Sequence, residues 1–276
     1  MSELFTFDDV QTHWPRFPLE ADKYSRGVVG LDTGSEQYPG AAVLSVLGAV
    51  NSGAGFTRFA GPPPLTVSAA TQNLTMVAQV TLRMSVLNRA PSVTFTTGPV
   101  DAWVVGCGWE NTIPMHSKTR WDRAVLSNAF IVADAGALDF VAPSDRLLLT
   151  PHAGELARLL GVDRAMVEST PAQSALEAAR RFGCAVLLKG HTQFVAHHSG
   201  QVIQLQSGSP NLARAGSGDV LAGVAGTLLA QTKNPVMAGL LAAGFQAWVS
   251  TLHVGAYPPD RMAEFMAEHV PGLDLV

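Results

Sequence analysis

Short apolar runs alternate along the chain with longer stretches in which apolar residues recur every three or four positions. The runs are RGVVGL (26–31), GFTRFAG (55–61), DAWVVGCG (101–108), FIVADAG (130–136), DRLLLT (145–150) and CAVLLKG (184–190). Runs that are apolar on both alternating faces predict strands covered on two sides. PSVTFTTG (91–98) is added to them for its β-branched and aromatic content. Helices are predicted over 39–55, 66–90, 116–129, 153–160, 170–183 and 219–231, the last with Val220, Val224 and Leu228 on one face, and another opens at Asn234-Pro235. In the helix at 170–183, Thr170 can cap, Pro171 fits the first position, Gln173 completes a capping box and Gly183 is the stop. TQFVAHH and GQVIQLQ predict a hairpin turning at Ser199-Gly200. GPPPL (61–65) reads as a turn that does not divide domains. Strands alternating with helices predict one α/β domain over residues 1–276, with 1–22 as an N-terminal arm and a mainly parallel central sheet covered by helices on both faces.

Composition supports a large core. Hydrophobic residues make up 47% of the 276 positions and charged residues only 14%, which excludes a disordered, solvated chain. The net charge is −4 and no basic stripe or basic amphipathic segment occurs, so neither nucleic acid nor a membrane surface is an expected partner. VMAGLLAAGFQAWVSTLHVGAY (236–257) lacks charge, but Gln246, Ser250, Thr251 and His253 interrupt it. It reads as a helix buried in a soluble core rather than a membrane span. The two cysteines, Cys107 and Cys184, have no spacing that asks for a bridge, and the absence of C-x-x-C and H-E-x-x-H speaks against zinc. The first thirty residues carry acids and no apolar signal region, so a reduced, cytoplasmic setting is expected.

The unusual residues fall at strand ends and at one helix start. They are Gly106-Cys107-Gly108, Asp134 with Gly136, Thr150 to Glu155, Lys189-Gly190-His191, and Gly216-Ser217-Gly218-Asp219. In open α/β sheets ligands bind beyond the carboxyl ends of the strands, so these clusters predict a single crevice. Gly216 and Gly218 let backbone N–H groups approach a phosphate at a helix N-terminus, and Ser217 can add a hydrogen bond or a cap. Asp219 stands in the first turn, where the helix dipole favours its ionised form. A carboxylate beside bound phosphate can take the proton of a hydroxyl as it attacks phosphorus. Taken alone, the tetrapeptide fits equally well an acid that only stabilises a first turn.

AGSGDVLAG (215–223) resembles the G-[AGS]-G-D signature of ribokinase-like kinases. LTPHAGELARLLG (149–161), AVLLKGHTQFVA (185–196), ADAGAL (133–138) and YPGAAVLSVLGAVNSGAG (38–55) are similar to the ADP/ATP-dependent NAD(P)H-hydrate dehydratase family within that superfamily. The resemblance runs from about residue 23 to 255. It implies a ribokinase-like fold and repair of hydrated NADH or NADPH, with ADP or ATP as co-substrate and Mg²⁺. Asp219 matches the acid that takes the hydroxyl proton, and Gly216, Ser217 and Gly218 match the anion hole, Gly218 also touching nucleotide. His152, Ala42 and the Gly106 and Gly108 segment match substrate contacts. Lys189, Gly190, His191, Thr192 and Gln193 match the nucleotide loop. Asp134 and Glu155 are candidate supports for metal or nucleotide, and Arg214 can meet phosphate or stay solvated. Self-association is expected from the family, and any epimerase is expected to be a separate protein.

The chain departs from the family at GCGWE (106–110), where Cys107 replaces a proline and Glu110 a glycine, and at DKYSRG (22–27) and LDTGS (31–35). Thr192 also sits one place early. Two other classes share the glycine loop: a kinase of a hydroxymethylpyrimidine- or thiazole-type alcohol, and a non-catalytic nucleotide-binding module.

Overall fold

The six apolar runs lie side by side as parallel strands, β3-β2-β4-β5-β6-β7, where β2 is Val28–Asp32, β3 Phe56–Phe59, β4 Ala102–Val105, β5 Phe130–Ala133, β6 Leu147–Leu149 and β7 Ala185–Leu188. The computed structural model describes residues 3–61, 69–110 and 114–272. Residues 62–65 of the expected Pro-rich turn and the start of the helix expected at 66 lie outside them. The hairpin is observed as β8 (Phe194–His197) antiparallel to both β7 and β9 (Val202–Leu205), and Gly200 takes the left-handed turn position at φ 112°.

The N-terminal arm is part of the fold. β1 (Glu3–Phe5) pairs in parallel with β9 and completes a nine-stranded sheet, and α1 (Phe7–His13) follows it. Thr6 and Asp9 form a reciprocal capping box on α1. Val10 is fully buried and Trp14 packs on Phe245 with ring centroids 4.6 Å apart.

The remaining helices are α2 (Pro39–Asn51), α3 (Ala69–Arg89), α4 (Pro114–Leu126), α5 (Ala153–Leu160), α6 (Arg164–Ser169), α7 (Pro171–Phe182), α8 (Ser217–Thr232), α9 (Pro235–Leu252) and α10 (Pro259–Glu268). Apolar side chains of α2, α8, α9 and α10 form the core on one face of the sheet, and those of α4, α5 and α7 form it on the other. In the uncharged helix α9, 67% of the residues are buried inside the protein, as a core helix requires.

Two sequence expectations are corrected. Residues 91–98 form no strand: Thr94 makes a single bridge to Arg58, whose guanidinium then donates to Thr96 Oγ1 at 2.7 Å. A side chain thus holds this segment where a ladder was expected. Thr170 does not cap α7 with its side chain. Its hydroxyl donates back to Met166 O at 3.0 Å, closing α6, a short helix whose presence the 170–183 pattern does not reveal.

The glycines of α2 and α8 set the position of the helix that carries Asp219. A Cβ on Gly48 would sit 2.2 Å from Val220 O, and one on Gly223 2.0 Å from Ser45 O. The two backbones therefore touch, and substitution on either side would push α8 away from α2. Close approach explains glycines that would otherwise weaken a helix interior.

Candidate active site

Three adjacent parallel strands bring the polar residues together. Ala133 of β5 is in register with Leu149 of β6, which pairs in turn with Val186 of β7. The residues beyond these strand ends therefore share one edge. Asp134 is 3% exposed. Its Oδ1 accepts from Thr150 Oγ1 at 2.9 Å and from Lys189 Nζ at 2.6 Å. Lys189 N donates to Pro151 O at 2.8 Å and pairs across to His152, which fixes the lysine against the T-P-H-A-G-E turn.

From the other side, α8 points its N-terminus into the same place. Gly216 caps it in the left-handed region at φ 96°, and a Cβ there would lie 2.5 Å from Leu44 Cδ1, so glycine is required twice over. Ser217 Oγ donates to Arg214 O at 2.9 Å, and Ser217 O accepts from Gln246 Nε2 at 2.9 Å. A Cβ on Gly218 would come 3.4 Å from Lys189 Nζ, which places the ammonium beside the first turn of α8, where Ser217 N donates to Arg214 O at 3.2 Å. Donor atoms of Asp219, Asp134 and Cys107 all lie within 4.8 Å of one another, and the Cys107 thiol donates to Asp134 Oδ2 at 3.6 Å.

The electrostatics correct the expectation that the helix dipole decides the state of Asp219. Burial, then the neighbouring Asp134 carboxylate, raise its pKa to about 6, against the opposing pull of Lys189 and the Cys107 thiol. Burial disfavours the Lys189 ammonium, but Asp134 and Glu155 outweigh it and hold the lysine pKa above its usual value. Burial, then Asp134 and Asp219, push the Cys107 thiol well upward. It is a neutral hydrogen-bond donor, not a nucleophile.

His152 caps α5. Its Nδ1 accepts from Gly154 N at 3.0 Å and Glu155 N at 3.2 Å, while Glu155 Oε2 accepts from His152 N at 2.9 Å. An accepting Nδ1 puts the ring proton on Nε2, which lies 3.5 Å from Glu155 Oε1, while the side chain as a whole is largely exposed. His152, Lys189, Gly190, His191, Gln193 and Gly218 line one cavity of about 450 Å³. Thr192 lines instead a neighbouring cavity of about 630 Å³, which it shares with His152 and Arg164.

Other candidates sit apart from the open crevice. Ala42 is fully buried, facing Gly34, where an added Cβ would come within 2.7 Å of its own. Direct contact with a ligand is therefore not available to Ala42 in this conformation. Gly106 and Gly108 have packing roles: a Cβ on Gly106 would lie 1.9 Å from Asp134 O, and one on Gly108 2.6 Å from Ala41 Cβ. Arg214 is exposed and directs NH1 to Ala256 O at 3.4 Å.

Gln246 braces the site although no sequence argument gives it a role. Cys107 and Thr150 both bond Asp134, as their place in the strand-end clusters led one to expect, and Cys107 is also where the loop departs from the family pattern. The rest of that departure is structural. Trp109 Nε1 donates to Asp32 O at 2.8 Å and its ring lies under the Arg120 guanidinium at 4.6 Å, while Glu110 Oε1 accepts from Gln37 N at 2.9 Å.

A glycine-capped helix N-terminus, a lysine and a buried carboxylate stand together at the strand ends of a mostly parallel sheet with the ribokinase-like fold. Residues 29–262 match the NAD(P)H-hydrate dehydratase family. The chain belongs to that family. It is 36% identical to the bifunctional NAD(P)H-hydrate repair enzyme Nnr of Mycobacterium leprae, over 80% of this chain and 45% of that protein. It is also 36% identical to the ADP-dependent (S)-NAD(P)H-hydrate dehydratase of Xanthomonas campestris, over 75% of this chain and 74% of that one. The chain thus spans about half the length of the bifunctional relatives it matches. Its fold superposes with a TM-score of 0.84 on the ADP/ATP-dependent NAD(P)H-hydrate dehydratase of Bacillus subtilis co-crystallised with ATP/Mg²⁺, at 23% identity over 97% of each chain.

Proposed function

We propose that this protein restores hydrated NADH and NADPH by nucleotide-dependent dehydration. The observation that carries the reading is that Lys189, Ser217 and Gly218 line the 450 Å³ cavity together, with Asp219 next in the first turn of α8 and grouped with Asp134. Hydroxide leaves a nicotinamide ring poorly and phosphate leaves well, so phosphorylation of the ring hydroxyl turns dehydration into an easy elimination. Asp219, ionised above about pH 6, accepts the hydroxyl proton as its oxygen attacks the terminal phosphorus. The N–H groups at the start of α8 and the Lys189 ammonium hold the charge that gathers on the transferred phosphoryl group. The Lys189–Gln193 loop, with the exposed His152 side chain, forms the wall against which the nucleotide and substrate lie.

The Asp134 and Asp219 carboxylates are hard oxygen donors within 4.8 Å of each other. Two carboxylates completed by substrate phosphates are a donor set that fits Mg²⁺. When bound, the ion neutralises phosphate charge during transfer. Both cysteines are free and buried, which fits a reduced, cytoplasmic setting; self-association rests on the family resemblance alone.

The test is to incubate the purified protein with hydrated NADPH and either ADP or ATP. The expected result is recovery of the absorbance of the reduced nicotinamide, with release of one phosphate per turnover. No recovery, together with phosphorylation of a hydroxymethylpyrimidine or thiazole alcohol, would overturn the proposal.

A further inference from the structure

The ends of α9 and α10 meet at two histidines that the proposed reaction does not use. His253 follows the last residue of α9 and His269 follows the last residue of α10. Their Nε2 atoms are 2.9 Å apart. Glu268 brings a carboxylate oxygen within 4.8 Å of both. The histidines stand sixteen positions apart, a spacing that matches no local zinc motif, so only the fold makes this cluster.

We propose that His253, His269 and Glu268 form a binding site for a divalent cation of the Zn²⁺ class. Three observations carry it. The donors are two imidazole nitrogens and one carboxylate, a set such cations favour, with a fourth position left for water. The spacing is close to what coordination needs: tetrahedral ligands at the usual Zn–N distance are roughly 3.3 Å apart, so the Nε2 atoms need only a small separation from 2.9 Å. The rings are also already braced in position. His253 stacks on Phe265 with centroids 3.7 Å apart and planes at 4°, and His269 lies 6.1 Å from the Trp248 ring.

The field points the same way. The carboxyl end of a helix carries partial negative charge, and here two such ends converge on one point. The tie has a consequence for the active site. α9 supplies Gln246, which holds Ser217 O, and α10 begins at Pro259, whose ring faces Gly216. A cation at the far ends of both helices clips together the two elements that brace the glycine cradle.

The experiment uses the full chain free of any histidine tag. Co²⁺ is titrated in and followed by its visible absorption, then displaced by Zn²⁺. One saturable equivalent is expected, with a rise in melting temperature on Zn²⁺ addition. His253→Gln and His269→Gln should each abolish that equivalent, and Glu268→Gln should weaken it about tenfold or more. His197→Gln, which alters the other adjacent histidine pair, should leave it intact. Crystals soaked in Zn²⁺ give a readout independent of how the variants fold: an anomalous peak is expected between the two Nε2 atoms. No saturable binding, binding unchanged in both histidine variants, or an anomalous peak only elsewhere would overturn the site.

Discussion

Asp32 and Asp134 are both buried carboxylates at the carboxyl ends of strands in one sheet, yet their surroundings make them opposites. Asp32, at the end of β2, receives Arg120 Nε at 2.6 Å and Arg123 NH1 at 2.9 Å. Trp109 seals this pair by covering the Arg120 guanidinium. Two cations face one anion, and Arg120 NH2 and Arg123 NH1 also donate to Gly34 O and Gly61 O. At the end of β5, Asp134 and Asp219 share the single ammonium of Lys189. Two anions face one cation, with the first turn of α8 alongside. The first arrangement is electrostatically closed. The second carries surplus negative charge, and burial first, then the Asp134 carboxylate, lift the Asp219 pKa to about 6. Strand-end position alone does not make a carboxylate reactive; the balance of charge around it does.

The largest effect that can break this comparison is expected at Asp219. Asp219→Asn should lower kcat by about 10²–10⁴-fold, the usual contribution of a positioned general base. The same change should stabilise the protein. The unfolded chain releases this proton near pH 3.8, whereas the folded protein holds it until about pH 6. Between those values the native state binds more protons, so stability falls as pH rises. Above pH 6 the full penalty remains, an upper bound of about 3 kcal/mol for a shift of about two units. Thermal unfolding at pH 7.5 should therefore show Asp219→Asn melting above the wild type. A lower melting temperature would mean that burial does not strain this carboxylate.

Asp32→Asn should behave in the reverse way. It leaves the 4%-exposed Arg120 side chain without its ion-pair partner, a loss of about 3–5 kcal/mol. Denaturant unfolding measures it. The rate–pH midpoint of the folded fraction should stay where it is, because Asp32 does not face the Asp219 cluster. A shifted midpoint with unchanged stability would erase the distinction between the two regions.

The two regions also differ in how much of them the sequence discloses. The glycine cradle, Asp219, the T-P-H-A-G-E turn and the Lys189 loop are local patterns, in which each residue's part follows from its immediate neighbours. The apolar runs likewise announce a parallel sheet, because a strand buried on two faces has no polar alternation to hide. Gln246 lies 29 residues from the carbonyl it holds, and Arg120 lies 88 from its aspartate. No spacing rule reaches that far. The state of Asp219 was misjudged for the same reason. Its place in a first turn is local and points to a lowered pKa, whereas its burial beside Asp134 is a property of the assembled sheet. At 91–98 the composition favours a strand, but one arginine side chain takes the carbonyl and hydroxyl partners that a further ladder would need.

The smallest expected effect separates charge from hydrogen bonding within the reactive cluster. Cys107 is fully buried between Asp134 and Asp219, and its thiol opposes the rise in the Asp219 pKa. A hydroxyl donates more strongly than a thiol, so Cys107→Ser should move the midpoint of the kcat/KM–pH profile below that of the wild type. Cys107→Ala removes the donor and leaves the charges in place, so its midpoint should move above. Both variants keep Lys189 and the cradle, so activity well above the midpoint should be little changed. Midpoints that shift in the same direction would show that the void or the packing at position 107 is what matters. Opposite shifts would show that one neutral donor trims the imbalance that two carboxylates and one lysine create.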